Sequence, residues 1–439
     1  MAKKYDLIVI GTGVAGRTAI SKCAAAGWNT AIIDSRPFGG TCALRGCDPK
    51  KVLVGAAEII ERSQAMKGKG IDGKSRISWR DLIEFKRSFT RQNSEMIEKG
   101  FTENGIDSYH GVAQFTGQNH LKAGYEELEG KHILIAAGSK PRELDMPGEE
   151  HITHSDRFLE LDTLPGSITF IGGGYISFEF AHIAACAGSE VRILHIDGSP
   201  LRHFDPELVK MLVESFRKAG IDIRLNAPVT SIENKGNILI THADDDNRSH
   251  FESEMVVHGA GRVPDIDGLN LNKAKVDTDK RGIIINEYLQ STTNPSVYVA
   301  GDVNSRGIPL TPVAAKEGEV AARNMLEGNR LKPDYTAIPS VVFAYPPMAS
   351  VGILETEAKE KGLDYEAEYF DTSTWYTSGR IGLEHSASKT IIDKDSGMVL
   401  GAHLLGYNAD EVINIFALAI KHKIKAEDLS EMIMTYPTA

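Results

Sequence analysis

The chain has 439 residues, 42 of them glycine and four of them cysteine, and its 60 acidic and 49 basic side chains leave a formal net charge of −11. That length supports two to four domains with their own cores. The acidic balance argues against nucleic acid or an anionic membrane as a main partner, and so few cysteines in so long a chain are not a disulfide scaffold, which points to a reducing, cytoplasmic setting.

The opening lysines and apolar run are not read as a signal peptide, because the run is short and turns into a glycine motif. No apolar stretch reaches transmembrane length. Tyr5 to Ile10 (YDLIVI) reads as a buried parallel strand. It leads into Gly11, Gly13 and Gly16 of GTGVAG, then a helical stretch to about Ala26, then a second apolar run ending at Asp34. In such a unit the first glycine makes the turn, the second admits a pyrophosphate, and the third lets helix and strand pack closely. The helix N-terminus holds the phosphate charge, and Asp34 is placed to take a ribose hydroxyl. The bland alternative is a tight turn in some other parallel α/β protein.

Next comes GGTCALRGCDPKK, Gly39 to Lys51, with Cys42 and Cys47 five positions apart. On a regular helix that spacing separates the Cα atoms by roughly 8–9 Å, whereas a disulfide needs about 7 Å or less. A bond between them therefore requires a break in the helix, which Gly46 permits. The following segment is helical and begins with Pro49, so both thiols are expected just before a helix N-terminus, where the dipole favours thiolates. Arg45, Lys50 and Lys51 add positive charge and Asp48 subtracts from it. A redox pair and two structural cysteines both remain open on the spacing alone.

Two long helices are expected around Val52–Met66 and Trp79–Lys99, followed by short strands up to KHILIAAGSKPR, where Ala136, Ala137 and Gly138 suggest close packing against a ligand or a crossing chain. At Ser167 the opening pattern recurs, with Gly172, Gly173 and Gly174 and with Ser177 at the third motif position. Two such units imply two dinucleotides and electron passage between them. Where the second unit's second strand ends, His195 stands in place of an acid, with Arg192 and Arg202 near, which leans toward NADPH over NADH. Ile221 to Ala260 reads as antiparallel strands running into GAGRVPD, with Gly261. A later strand runs into Gly301 and Asp302, well placed for a ligand at a strand's C-terminal end, and the helix starting at Thr311 and Pro312 offers backbone N–H groups. From about Pro333 an antiparallel sheet with helices reads as an interface domain of a homodimer.

Together, the two dinucleotide units, GGTCALRGCDPKK, IAAGSKPR, GAGRVPD and TTNPSVYVAGD resemble the flavin-dependent pyridine nucleotide–disulfide oxidoreductases, the family of glutathione reductase, dihydrolipoamide dehydrogenase and mercuric reductase. The resemblance covers essentially the whole chain. It implies an α/β fold of two Rossmann-like domains plus a C-terminal α+β dimerisation domain: 1–145 and 266–332 for FAD, 146–265 for NAD(P)H, and 333–439 for the interface. It implies FAD at Gly11, Gly13, Gly16, Asp34, Gly40, Thr41, Gly138, Gly301, Asp302 and Thr311. It implies NAD(P)H at Gly172, Gly174, Tyr175 (the gating tyrosine), Ser177, His195, Arg202 and Gly261. Lys51 matches the lysine near flavin N5, Glu179 its ion-pair partner, Cys42 the interchange thiol and Cys47 the thiol against the flavin. Hydride then passes from nicotinamide to flavin, the flavin reduces a Cys42–Cys47 disulfide, and Cys42 attacks a small-molecule acceptor.

Two departures stand out. Where the family carries His-Pro-Thr followed by glutamate, this chain has Tyr436, Pro437 and Thr438, and a tyrosine with a free pKa of about 10 is a poor base though a competent donor. Mercuric reductase uses an extra C-terminal cysteine pair, and no cysteine follows Cys186 here. The alternatives are a metal-ion or quinone reductase using Tyr436, or a low-turnover flavoprotein sensor. No resident metal site is expected, and His385 and His403 are expected to be surface or core residues.

Overall fold

The computed structural model describes residues 2–438. The chain divides into two compact units, one of Met1–Lys50, Phe85–Arg142 and Arg262–Tyr335, the other of Lys51–Glu84, Glu143–Gly261 and Thr336–Ala439.

Among the described residues, the first unit is built on a seven-stranded sheet. The strand Lys3–Ile10 runs parallel to Thr30–Asp34 on one side and to Glu126–Ile135 on the other. Ile106–His110 extends the sheet beyond Thr30–Asp34, and Val297–Val299 pairs parallel with Glu126–Ile135. Leu7, Ile8 and Val9 are fully buried, as an uninterrupted apolar run must be when both faces of a parallel sheet are covered. The C-terminal ends of these strands bring Ile10, Asp34, Ile135 and Val299 to one edge, where open α/β sheets take their ligands.

The second unit repeats the design on a smaller sheet. Ser167–Ile171 pairs parallel with Glu190–Leu194 and Met255–His258, and Asp222–Arg224 extends it. Two of the strands expected to be antiparallel, Asp222–Arg224 and Met255–His258, are thus parallel members of this sheet. Within that stretch, Val229–Asn234, Leu239–Ala243 and His250–Ser253 form the antiparallel ribbon. Short apolar runs carry no direction, and tertiary pairing decides it. Farther along, five antiparallel strands between Ser340 and Leu405 bury Ala349, Val351, Ala402 and Leu404 against Ala409 and Ile413 of the helix Ala409–His422.

The helix expected over Trp79–Lys99 is two, Trp79–Thr90 and Asn93–Glu103, with the break at the polar pair Arg91 and Gln92. No helix among the described residues is long and apolar enough to cross a membrane.

Candidate active site

The first glycine turn is shaped by what it must avoid. Gly11 has φ +104°, and a Cβ there would lie 2.3 Å from the carbonyl oxygen of Ala136. A Cβ on Gly16 would lie 2.1 Å from the Gly11 oxygen. At Gly13, the residue that caps the helix Val14–Ala25, the space within 4 Å is open. Crowding at the first and third glycines with room at the second, at a helix N-terminus, is the arrangement a pyrophosphate requires.

Thr12, which the sequence did not single out, knits this turn together. Its amide and hydroxyl both donate to Asp34 Oδ2, at 2.8 and 2.6 Å. Its hydroxyl also accepts from the Gly39 amide at 2.9 Å. The phosphate turn, the acid at the strand end and the start of the cysteine segment are thereby one network. Gly40 is close enough that a Cβ on it would meet Gly13 Cα at 2.5 Å. On the neighbouring strand ends, Asp302 Oδ2 accepts from Ser139 Oγ at 2.7 Å, and Ser139 Oγ accepts in turn from Arg262 Nε at 3.0 Å. The Gly301 amide donates to buried Glu317 at 2.6 Å. Ser139, Arg262 and Glu317 come from segments too far apart in sequence to have been grouped.

The cysteines sit on two helices. Cys42 lies inside the short helix Gly40–Arg45, and Cys47 opens the helix Cys47–Ala65. The break falls at Gly46, as expected, but only Cys47 stands at a helix start of more than two turns. All four cysteines are unbonded. Cys47 Sγ is 3.5 Å from Thr311 Oγ1, and Cys42 Sγ is 3.8 Å from Asp48 Oδ1.

This geometry divides the charge. A hydrogen bond from Cys42, with further help from Thr311 and the positive charge of Lys50, draws the Cys47 thiol down to about 6 against opposing burial. The same hydrogen bond, with burial and the Asp48 charge, pushes the Cys42 thiol well above its ordinary value. Cys47 is thus the more readily ionised thiol of the pair. The charges of the redox segment, which pull in opposite directions when read along the sequence, favour ionisation at Cys47.

The lysine beside the thiols is Lys50. It is 9% exposed, whereas the Lys51 side chain is 44% exposed. Lys51 Nζ lies 3.6 Å from both Glu58 and Asp410 and 4.1 Å from the centre of the Phe343 ring. Adjacent helical residues point about 100° apart, so one of two neighbouring lysines turns inward and the other does not. Glu179 is 2% exposed and accepts from the Phe343 amide at 2.9 Å.

In the second unit, a Cβ on Gly172 would lie 2.5 Å from the Gly259 oxygen, and Gly174 caps the helix Tyr175–Cys186. Ser177 is fully buried, and a Cβ on Gly259 would fall 1.9 Å from its Oγ. Serine serves at the third motif position because the facing residue is glycine. Tyr175 is half exposed, and Gly261 ends the same chain crossing with positive φ.

His195 follows the strand end, as expected, but it is tied down. Its Nδ1 accepts from the Gly173 amide at 2.9 Å, and its Nε2 lies 3.1 Å from Asp197. Arg202 pairs with the same Asp197. The Ser199 amide, Arg202 and His195 hold that carboxyl below its usual range. Arg192 pairs instead with Asp222 at 2.8 Å and packs over Phe251. Tyr436 is 85% exposed. His403 is a buried core residue bonded to Ser350.

The family model for pyridine nucleotide-disulphide oxidoreductases matches residues 5–318, and that for their dimerisation domain matches 338–439. The chain belongs to this family. It is 32% identical to a glutathione reductase of Burkholderia cepacia, over 99% of this chain and 96% of that one. It is 31% identical to a mercuric reductase of Bacillus cereus, over 99% of this chain and 69% of that one. Its structure is similar to that of the HOCl-induced flavoprotein disulfide reductase RclA from Escherichia coli in a Cu(II) complex, with TM-score 0.89 and 27% identity, covering 100% and 97% of the two chains. The protein is thus an NAD(P)H-dependent, FAD-dependent flavoprotein of the disulfide reductase class.

The first turn fits FAD, since the open space at Gly13 and the helix start behind it are a cradle that any side chain would fill. Bound there, FAD supplies a two-electron relay between nicotinamide and disulfide.

Proposed function

We propose that the chain reduces a small disulfide acceptor, with Cys42 as the attacking sulfur and Cys47 as the resolving one. The observation that carries this is the placement of two unbonded cysteines on either side of the break at Gly46, with Cys47 Sγ 3.5 Å from Thr311 at the start of the helix Thr311–Glu327. Cys42 attacks one sulfur of the acceptor and gives up its proton as it does so. The acceptor S–S bond breaks, and the departing sulfur takes up that proton. The Cys47 thiolate then attacks Cys42, closing the Cys42–Cys47 disulfide and releasing the second half of the acceptor as a thiolate. The electrons that reopen the pair derive from NAD(P)H.

Residues 1–145 and 266–332 carry the FAD site in this reading, with Asp34, Asp302 and Thr311 among its contacts. Residues 146–265 carry the NAD(P)H site, with Tyr175 at its mouth, and the basic side chains of Arg202 and His195 at the second strand end favour NADPH, while the Asp197 carboxylate that both hold opposes it. Residues 333–439 form the interface of a homodimer. Exposed Ile415 and Leu418 on the helix Ala409–His422, and exposed Met432, Ile433 and Met434 beyond it, support that assembly. Four unbonded cysteines support a cytoplasmic location. The test is turnover of oxidised glutathione, lipoamide and related disulfides with NADPH. Cys42→Ser should abolish disulfide turnover while keeping full flavin content, and unaltered turnover would remove the reading.

A metal-ion or quinone acceptor is the second reading, favoured by Tyr436 where the family has histidine. It is supported if Tyr436→Phe lowers turnover of Hg(II), Cu(II) or a quinone and leaves disulfide turnover intact.

A further inference from the structure

A second cysteine, distant in sequence from the redox pair, meets a histidine and a glutamate. Cys186 and His182 lie one turn apart on the helix Tyr175–Cys186 and so share a face. Glu61, near the end of the helix Cys47–Ala65, reaches the same point. Cys186 Sγ is 3.5 Å from Glu61 Oε1 and 3.5 Å from His182 Nε2, and His182 Nε2 is 3.5 Å from Glu61 Oε1.

We propose that Glu61, His182 and Cys186 form a binding site for one borderline-soft divalent cation, of which zinc is the representative. An ion bonding sulfur at about 2.3 Å and nitrogen and oxygen at about 2.0–2.1 Å with tetrahedral angles holds these donor atoms roughly 3.3–3.6 Å apart. The three separations observed lie within that window, so the side chains need not rearrange to bind. The donor set of one thiolate, one imidazole and one carboxylate suits zinc and its neighbours and disfavours magnesium or calcium, which take oxygen. Thiolate and carboxylate together neutralise the ion's charge.

Burial supports a built site. The His182 side chain is 2% exposed, and among the described residues its Nδ1 has no hydrogen-bond partner. Phe216 packs beside the ring at 5.9 Å. Glu61 and Cys186 are half-buried, which leaves a side open for a water as fourth ligand. Without metal, burial and then the Glu61 charge push the Cys186 thiol up, so the group is an S–H that donates to Glu61. The cation takes the place of that proton, one proton leaving for each thiolate bound, with no change of oxidation state. The ion would clasp the late turns of the helix Cys47–Ala65 to the helix Tyr175–Cys186, giving it a structural role separate from the thiol chemistry.

The experiment uses the full FAD-loaded chain carrying Cys42→Ser and Cys47→Ser, so that the redox thiols cannot supply the metal. The protein is incubated with zinc chloride and desalted, zinc is counted by mass spectrometry, and the coordination is read from zinc X-ray absorption. One zinc per chain is expected, with a single sulfur neighbour at about 2.3 Å and nitrogen or oxygen neighbours near 2.0 Å. Zinc should also raise the melting temperature. Adding Cys186→Ser or Glu61→Gln should weaken zinc at least about tenfold, since even outer-shell partners of a metal contribute that much, and should cancel the thermal shift. Circular dichroism checks that each variant folds, and Glu61→Gln, which keeps the size of the side chain, decides the matter if Cys186→Ser does not. Zinc that washes away from the parent, or zinc retained equally by folded variants, overturns the proposal.

Discussion

The two glycine turns of this protein solve one packing problem with different residues. In both, the first glycine sits against a carbonyl of the crossing strand end, Ala136 in one and Gly259 in the other. At the third position the first turn uses Gly16, whose Cβ would strike its own turn. The second turn keeps Ser177 and moves the missing side chain to Gly259, across the contact. What is required is a volume, and either partner can give it up. The strand ends differ more. Asp34 accepts from Thr12, whereas His195 accepts from Gly173 and leaves the acid to Asp197 two residues on. The same backbone motif thus presents a carboxylate at one turn and a ring flanked by a carboxylate and a guanidinium at the other.

The largest test of this comparison exchanges the first glycines. Gly11→Ala puts a Cβ 2.3 Å from a backbone oxygen at φ +104°, where strain adds to the clash. It should yield protein nearly devoid of flavin by absorbance. Gly172→Ala should instead keep its flavin and lose reduction by NADPH in stopped flow. Equal flavin loss in both would mean the two turns do not serve separate nucleotides.

The segment that follows the first turn is probed next. The alkylation rate at Cys47, followed against pH by mass spectrometry, should rise as pH climbs through about 6 and then level, because the folded thiol is depressed and is thiolate above that point. Lys50→Met should move the rise upward toward the ordinary thiol range, since a nearby cation typically depresses a thiol. Lys51→Met should leave it in place. A shift with Lys51→Met and none with Lys50→Met would make Lys51 the cation that acts on Cys47.

The volume exchange itself is testable by a double-mutant cycle. Gly259→Ala should destabilise by about 1–3 kcal/mol through overpacking on Ser177, and Ser177→Gly in the same chain should return a large part of that loss in urea unfolding. Additive effects would break the argument that the two positions share one space. The smallest effect is expected at the second strand end, where Arg202→Ala should reduce the preference for NADPH over NADH by about tenfold, or ~1.4 kcal/mol, in kcat/KM for the two donors.

The readable parts of the chain were those whose chemistry lies in a contiguous stretch. GTGVAG with its strand and acid, the Cys42 and Cys47 spacing and the repeat at Gly172 each carry their meaning within about thirty residues, and together they were enough for the fold class and the family. Even the break at Gly46 could be derived from the reach of a disulfide. Strand direction at Asp222–Arg224 and Met255–His258 could not, because pairing is not local.

The amino-acid order by itself determined that two nucleotides and a thiol pair belong to one polypeptide, because backbone turns and residue spacing are local properties. Tertiary structure decided which thiol ionises more readily, which lysine turns inward, how Thr12 joins three segments, and that Glu61 meets His182 and Cys186 from more than a hundred residues away. Those outcomes depend on desolvation and on neighbours brought together by packing, and no window of sequence contains them.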